Sequence, residues 1–88
     1  MGVKEKEQIT TEDLKDVIRR LILYNSNHLW EDVINQLQKA TKYDILHCEQ
    51  IAIIAHTKGK ATVKTGALKE LAKIDSVLKE IHLITEII

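Results

Sequence analysis

Two periodicities of apolar residues run along the chain. Val17 to Tyr24 (Val-Ile-Arg-Arg-Leu-Ile-Leu-Tyr) is rich in β-branched residues and halts at Asn25-Ser26-Asn27. Leu14, Val17, Ile18 and Leu21 also fit a helical stripe, but the β-branched content and the polar brake predict a strand over 19–24. Asn25 to His28 reads as a loop, since Asn and Ser side chains bond their own backbone. From Leu29 to Lys39 the residues Trp30, Val33, Ile34 and Leu37 stand at i, i+3, i+4 and i+7, which places all four on one helical face. Asn27 or His28 would begin that helix, with Glu31 and Asp32 in its first turn, where the helix dipole favours anions.

Residues 40–43 form a connector, and Asp44 is the expected N-cap of a second helix over 45–58. Its apolar positions Ile45, Cys48, Ile51, Ala52, Ile54 and Ala55 make a broad stripe, and Gly59 closes it where a left-handed residue costs least. Lys60 to Thr65 alternates Ala61 and Val63 with Thr62 and Lys64, a half-exposed strand. A third helix is expected from Thr65-Gly66 onward, with Leu68, Leu71, Ile74, Leu78, Ile81 and the neighbouring Val77 turned inward, and Leu83 to Ile88 is expected to be a terminal strand. The resulting β-α-α-β-α-β order belongs to the α+β class: a two-layer sandwich with three helices on a small three-stranded sheet. Residues 1–18 are charged, and we expect a mobile extension there, with one helical turn near Thr11 to Lys15, followed by a single domain over 19–88.

Composition narrows the function. Of 88 residues 28 are Leu, Ile or Val, with no Phe and no Pro, so the chain forms an aliphatic core. A domain this small has little room for both a core and an enclosed catalytic cavity. Thirteen Lys and Arg balance thirteen Asp and Glu, which argues against nucleic acid, because phosphate binding needs a surplus of cations. Cys48 is the single cysteine and points to a reducing compartment. No apolar run approaches the ~18 residues of a membrane span, and the charged start Met1-Gly2-Val3-Lys4-Glu5-Lys6 suits neither a signal peptide nor myristoylation. A cytoplasmic protein without membrane contact is expected.

The chemically able residues are few. His28, His47, His56 and His82, with Cys48, lack the spacing of a zinc site, so no metal or other cofactor is expected. Cys48 shares its helical phase with Ile45, Ala52 and Ala55, the place of a core residue rather than a nucleophile. There is no paired carboxylate set and no glycine-rich phosphate loop, and hence no catalytic residue to assign. One pairing remains. If the two helices form a hairpin on the sheet, the Asn25-Ser26-Asn27-His28 loop and His56 converge beside Ala52 and Ala55, giving a shallow pocket with polar walls and an apolar floor. The plainer alternative is that His56 caps its own helix and Asn25 only turns the chain.

The segment Ile51 to Ala61 ends in His-x-x-Gly-Lys-Ala, carried by His56, Gly59, Lys60 and Ala61. With the strand running into Asn25, the helix from Trp30 to Leu37 and the β-α-α-β-α-β order, the stretch from Arg20 to Ile87 resembles the ClpS adaptors of the ATP-dependent Clp protease, whose fold is shared with the C-terminal domain of the ribosomal stalk protein. The resemblance implies a non-enzymatic adaptor with two partners, the N-terminal domain of a Clp-family unfoldase and substrate peptides that begin with a bulky apolar residue. By the same resemblance Asn25 and His56 would bond the α-amino group and first peptide unit, within a site formed by Asn25, Ser26, Asn27, Trp30, Ala52, Ala55, His56 and Leu83. Ser26 and Asn27 stand where the family has acids, His28-Leu29 replaces a Thr-Pro, Trp30 occupies the place of a smaller Met, and Ala52 and Ala55 replace larger lining residues. The family's unfoldase-contacting Glu and Lys have no match after Ala61. An interaction module of the same fold without amine recognition is the alternative.

Overall fold

The structure, a computed structural model, describes residues 17–88. Most of the expected extension over 1–18, including the turn near Thr11 to Lys15, lies outside the described residues. The elements are β1 (Ile18–Tyr24), α1 (Trp30–Thr41), α2 (Ile45–Lys58), β2 (Lys60–Ala67), α3 (Leu68–Leu78), a 3-10 turn (Lys79–Ile81) and β3 (Thr85–Ile87). They build the α+β sandwich in the expected β-α-α-β-α-β order. The sheet runs β2-β1-β3 with both pairs antiparallel. No helix among the described residues is long and apolar enough to cross a membrane.

The core lies where the helical stripes meet the sheet. Leu21 and Leu23 from β1, Ile34 and Leu37 from α1, Cys48, Ile51, Ala52 and Ala55 from α2, Ala61 and Val63 from β2, and Leu71, Ile74 and Leu78 from α3 are buried together, with Leu83 beside them. Asp44 caps α2 by accepting the His47 N–H at 2.9 Å, and Gly59 ends the helix at φ +90°, as the sequence predicts. Helix α1 is tied to α3 by Gln36, whose side-chain amide donates to the Val77 carbonyl at 2.6 Å, and to the 3-10 turn by a Lys39–Glu80 ion pair at 2.8 Å. The Lys39 bond, joined by a second donation from the Gln36 amide to Glu80 Oε1 at 3.0 Å, lowers the pKa of Glu80 by favouring its charged form, Lys39 contributing most.

Several expectations are corrected. Helix α1 starts at Trp30 and continues through Thr41, and its N-cap position is Leu29, with no side-chain cap bond. His28 is not the cap because its ring is engaged elsewhere, as described below. Strand β2 extends to Ala67, since the ladder to β1 continues through Arg20–Thr65, Arg19–Gly66 and Ile18–Ala67, so α3 begins at Leu68 rather than at Thr65-Gly66. Leu68 itself remains 39% exposed, and Ile45 and Ile54 also face outward, because the buried stripe of α2 is only Cys48, Ile51, Ala52 and Ala55 wide. His82 takes a left-handed conformation (φ 63°) that ends the 3-10 turn, which shortens the terminal strand to Thr85–Ile87.

Candidate functional site

The register of the sheet decides what meets what. Tyr24 pairs with Lys60, and one residue beyond that pair the Asn25 N–H donates to the Gly59 carbonyl at 3.0 Å. The loop that leaves β1 is thereby tied to the C-terminal end of α2, one helical turn from His56. On the other side the Tyr24 N–H donates to the Ile84 carbonyl at 2.9 Å, which brings the Leu83-Ile84 segment against the same strand end.

Between these segments lies a cavity of about 260 Å³, lined on its polar side by Asn25, Ser26, Asn27, His28 and His56, and on its apolar side by Trp30, Val33, Ala52, Ala55, Leu23 and Leu83, with Tyr24 at the strand end. All eight residues singled out from the sequence (Asn25, Ser26, Asn27, Trp30, Ala52, Ala55, His56 and Leu83) border this one space. Trp30, expected on the core face of α1, is 44% exposed and stands at the cavity instead, while Ile34 and Leu37 take the buried side of that helix. The C-terminus of α2 is closed by the Gly59 N–H, which donates to the Ala55 carbonyl at 3.0 Å, so His56 is not needed as a cap and its side of the helix is open.

Four lining residues were not among the site residues chosen from the sequence: Leu23, Tyr24, Val33 and His28, the last expected there only as part of the loop. Val33 was visible in principle, being one turn from Trp30 on the same face. Tyr24 is held by a bond from its hydroxyl to Glu86 Oε1 at 2.6 Å. That bond, together with burial and the negative charge of Glu86, raises the phenol's pKa, so Tyr24 presents no anion to the cavity. His28 gave no local signal, because its contact is 53 positions away: Nε2 lies 2.5 Å from the Ile81 carbonyl, and Nδ1 lies 2.8 Å from the Ser26 hydroxyl.

The arrangement offers hydrogen-bonding groups on one wall and small apolar side chains on the floor, and among the described residues no Asp or Glu lines it. Among the described residues no group of three His, Cys, Asp or Glu could hold a metal ion. Cys48 is fully buried in the core, and burial pushes its thiol pKa up, the reverse of what an activated nucleophile needs. The geometry therefore suits binding of a small group that has a polar and an apolar end.

No curated protein sequence matches the chain. The fold is similar to that of Agrobacterium tumefaciens ClpS2, solved bound to L-phenylalaninamide, with a TM-score of 0.72 at 14% sequence identity, covering 84% of this chain and 99% of that one. The family described as ATP-dependent Clp protease adaptor protein ClpS matches residues 18–82, from the first residue of β1 to the end of the 3-10 turn, and with it the loop and both helices that bound the cavity. By that match this chain belongs to the ClpS family.

Proposed function

We propose that this ClpS-family chain is a non-enzymatic adaptor that receives the N-terminal residue of a substrate protein in the cavity at the end of α2. It presents that substrate to a Clp-type ATP-dependent unfoldase bound through another face. The observation that carries the reading is the cavity itself: a polar loop and an open histidine facing an apolar floor in a space of about 260 Å³. An α-ammonium group needs acceptors, which the Asn25 side-chain carbonyl, the Ser26 hydroxyl and a ring nitrogen of His56 can supply. A bulky apolar side chain needs a dry surface, which Trp30, Val33, Ala52, Ala55 and Leu83 supply. The ligand named for the similar ClpS2 structure, L-phenylalaninamide, combines these two ends. A lone cysteine, which the fold buries, fits work in a reducing compartment such as the cytoplasm.

The test is a titration of the protein with peptides that begin with Leu, Phe, Trp or Tyr, set against acetylated copies. We expect the free-amine peptides to bind and the acetylated ones to fail. Presentation to an unfoldase requires in addition that a Clp unfoldase co-purifies with the protein, and its absence would refute that half of the reading. A second reading, an interaction module of the same fold without amine recognition, is favoured by one observation: among the described residues no carboxylate lines the cavity. An ammonium there forgoes a charge-assisted partner commonly worth about 1.5–3 kcal/mol. Binding that ignores acetylation would establish this second reading and exclude the first.

A further inference from the structure

His28 sits between two groups of unequal character. The Ile81 carbonyl, 2.5 Å from Nε2, can only accept, so Nε2 must carry a hydrogen. In the neutral ring Nδ1 is then bare and acts as an acceptor, and the Ser26 hydroxyl at 2.8 Å must donate to it. The hydroxyl hydrogen is thereby committed to His28, and the free lone pairs of Ser26 Oγ are left for whatever occupies the cavity that both residues line. If the ring gains a proton, Nδ1 becomes a donor. Ser26 must then accept from it and turn its own hydrogen outward, a poor partner for a cation.

We infer that His28 is a positioning residue for the ligand's amine: bonded at one nitrogen to the Ile81 carbonyl and at the other to Ser26, it sets the Ser26 hydroxyl as an acceptor facing the cavity. The inference rests on the reading of the cavity as a site for a peptide N-terminus. It supplies what that reading lacks, a reason why a neutral hydroxyl can serve where no carboxylate of the described residues lines the cavity. The charged or titratable side chains on the elements around His28 include Tyr24 at the end of β1, Glu31 and Asp32 in the first turn of α1, His56 on α2, and Lys79, Glu80 and His82 on and after the 3-10 turn. Of these only Tyr24 and His56 share its cavity. Tyr24 is bonded to Glu86 and Glu80 to Lys39, which leaves His56 as the other imidazole on the cavity wall.

Two measurements test this. The ring nitrogen shifts of His28, read by long-range 1H–15N correlation on the free 88-residue chain above neutral pH, should show the Nε2–H tautomer; the Nδ1–H tautomer would overturn the inference without any ligand. The second is the amine preference, defined as the ratio of Kd for an acetylated Phe-initiated peptide to Kd for the same peptide with a free amine. Ser26→Ala should lower this ratio about tenfold, the scale of one hydrogen bond to a charged group. His28→Gln retains a donor for Ile81 but offers Ser26 no acceptor at the Nδ1 place, and should lower the ratio similarly. His28→Asn places a carbonyl oxygen near the Nδ1 position and should retain most of it. A residue that merely fastens the loop would give the opposite order, and that order, or equal losses, would overturn the inference. A wild-type protein without amine preference sinks the cavity reading and this inference with it, whereas preference in the wild type with the wrong order among the variants sinks this inference alone.

Discussion

The two halves of α2 carry one continuous buried stripe and use it differently. The N-terminal half is closed. Asp44 caps it, the Tyr43 ring stacks on His47 with centroids 4.0 Å apart, and Cys48 and Ile51 fill the space between helix and sheet. In the C-terminal half Ala52 and Ala55 are as buried as Ile51, each at 4% exposure, but their side chains end at Cβ. A helix of 14 residues held at a fixed distance from the sheet by its larger residues leaves a hollow where its residues are small. The cavity is therefore a difference in side-chain volume along one helix face, with the Asn25 to His28 loop supplying its polar wall. It follows that stability should be concentrated in the first half and ligand binding in the second.

The sharpest way to break that division is Ile51→Ala. Deleting a buried branched side chain from the closed half should cost about 2–5 kcal/mol in a denaturant titration. A loss under about 1 kcal/mol would show that the closed half is not what holds α2 in place. The complementary change is Ala55→Leu, which puts three extra carbons into the hollow. Binding of Leu- or Phe-initiated peptides should fall about a hundredfold by calorimetric titration, while stability changes by less than about 1.5 kcal/mol, since the added atoms enter empty space and not a packed core. If stability fell as far as in Ile51→Ala with binding intact, the cavity and the binding site would be different places.

How much of this was legible in the sequence follows from the same physics. Helix α2 could be bounded to the residue because Asp44 and Gly59 are local signals whose effect does not depend on distant contacts. The start of α3 could not, because Gly66 and Ala67 are held in β2 by pairing with Arg19 and Ile18, a tertiary contact that overrides the local turn preference of glycine. The site divides likewise. Asn25 and His56 could be brought together from the sequence, through an assumed helix hairpin and the resemblance of the His-x-x-Gly-Lys-Ala segment. The register that joins them, Tyr24 opposite Lys60, is part of the sheet. The cap assigned to Asn27 or His28 failed for a related reason: the imidazole that a local rule would place on the helix terminus is claimed by the Ile81 carbonyl, which no spacing rule reaches.

The smallest expected effect draws the line between the two halves most finely. His56 stands on α2 directly after Ala55 and one turn past Ala52, is exposed, and is not required to end the helix because Gly59 does so. His56→Ala should therefore leave stability within about 0.5 kcal/mol of the wild type, as for surface positions generally. If the cavity holds a peptide N-terminus as proposed, the same substitution removes one hydrogen bond to it and should weaken free-amine peptides by about 1 kcal/mol, roughly fivefold in Kd, with no effect on acetylated ones. The value of the experiment lies in reading both quantities on one variant. A matching loss of stability and binding would mean that His56 braces the helix end and acts on the ligand only through the fold. Loss of binding alone would place its ring against the ligand, and the open half of α2 would then owe its polarity to function rather than to capping.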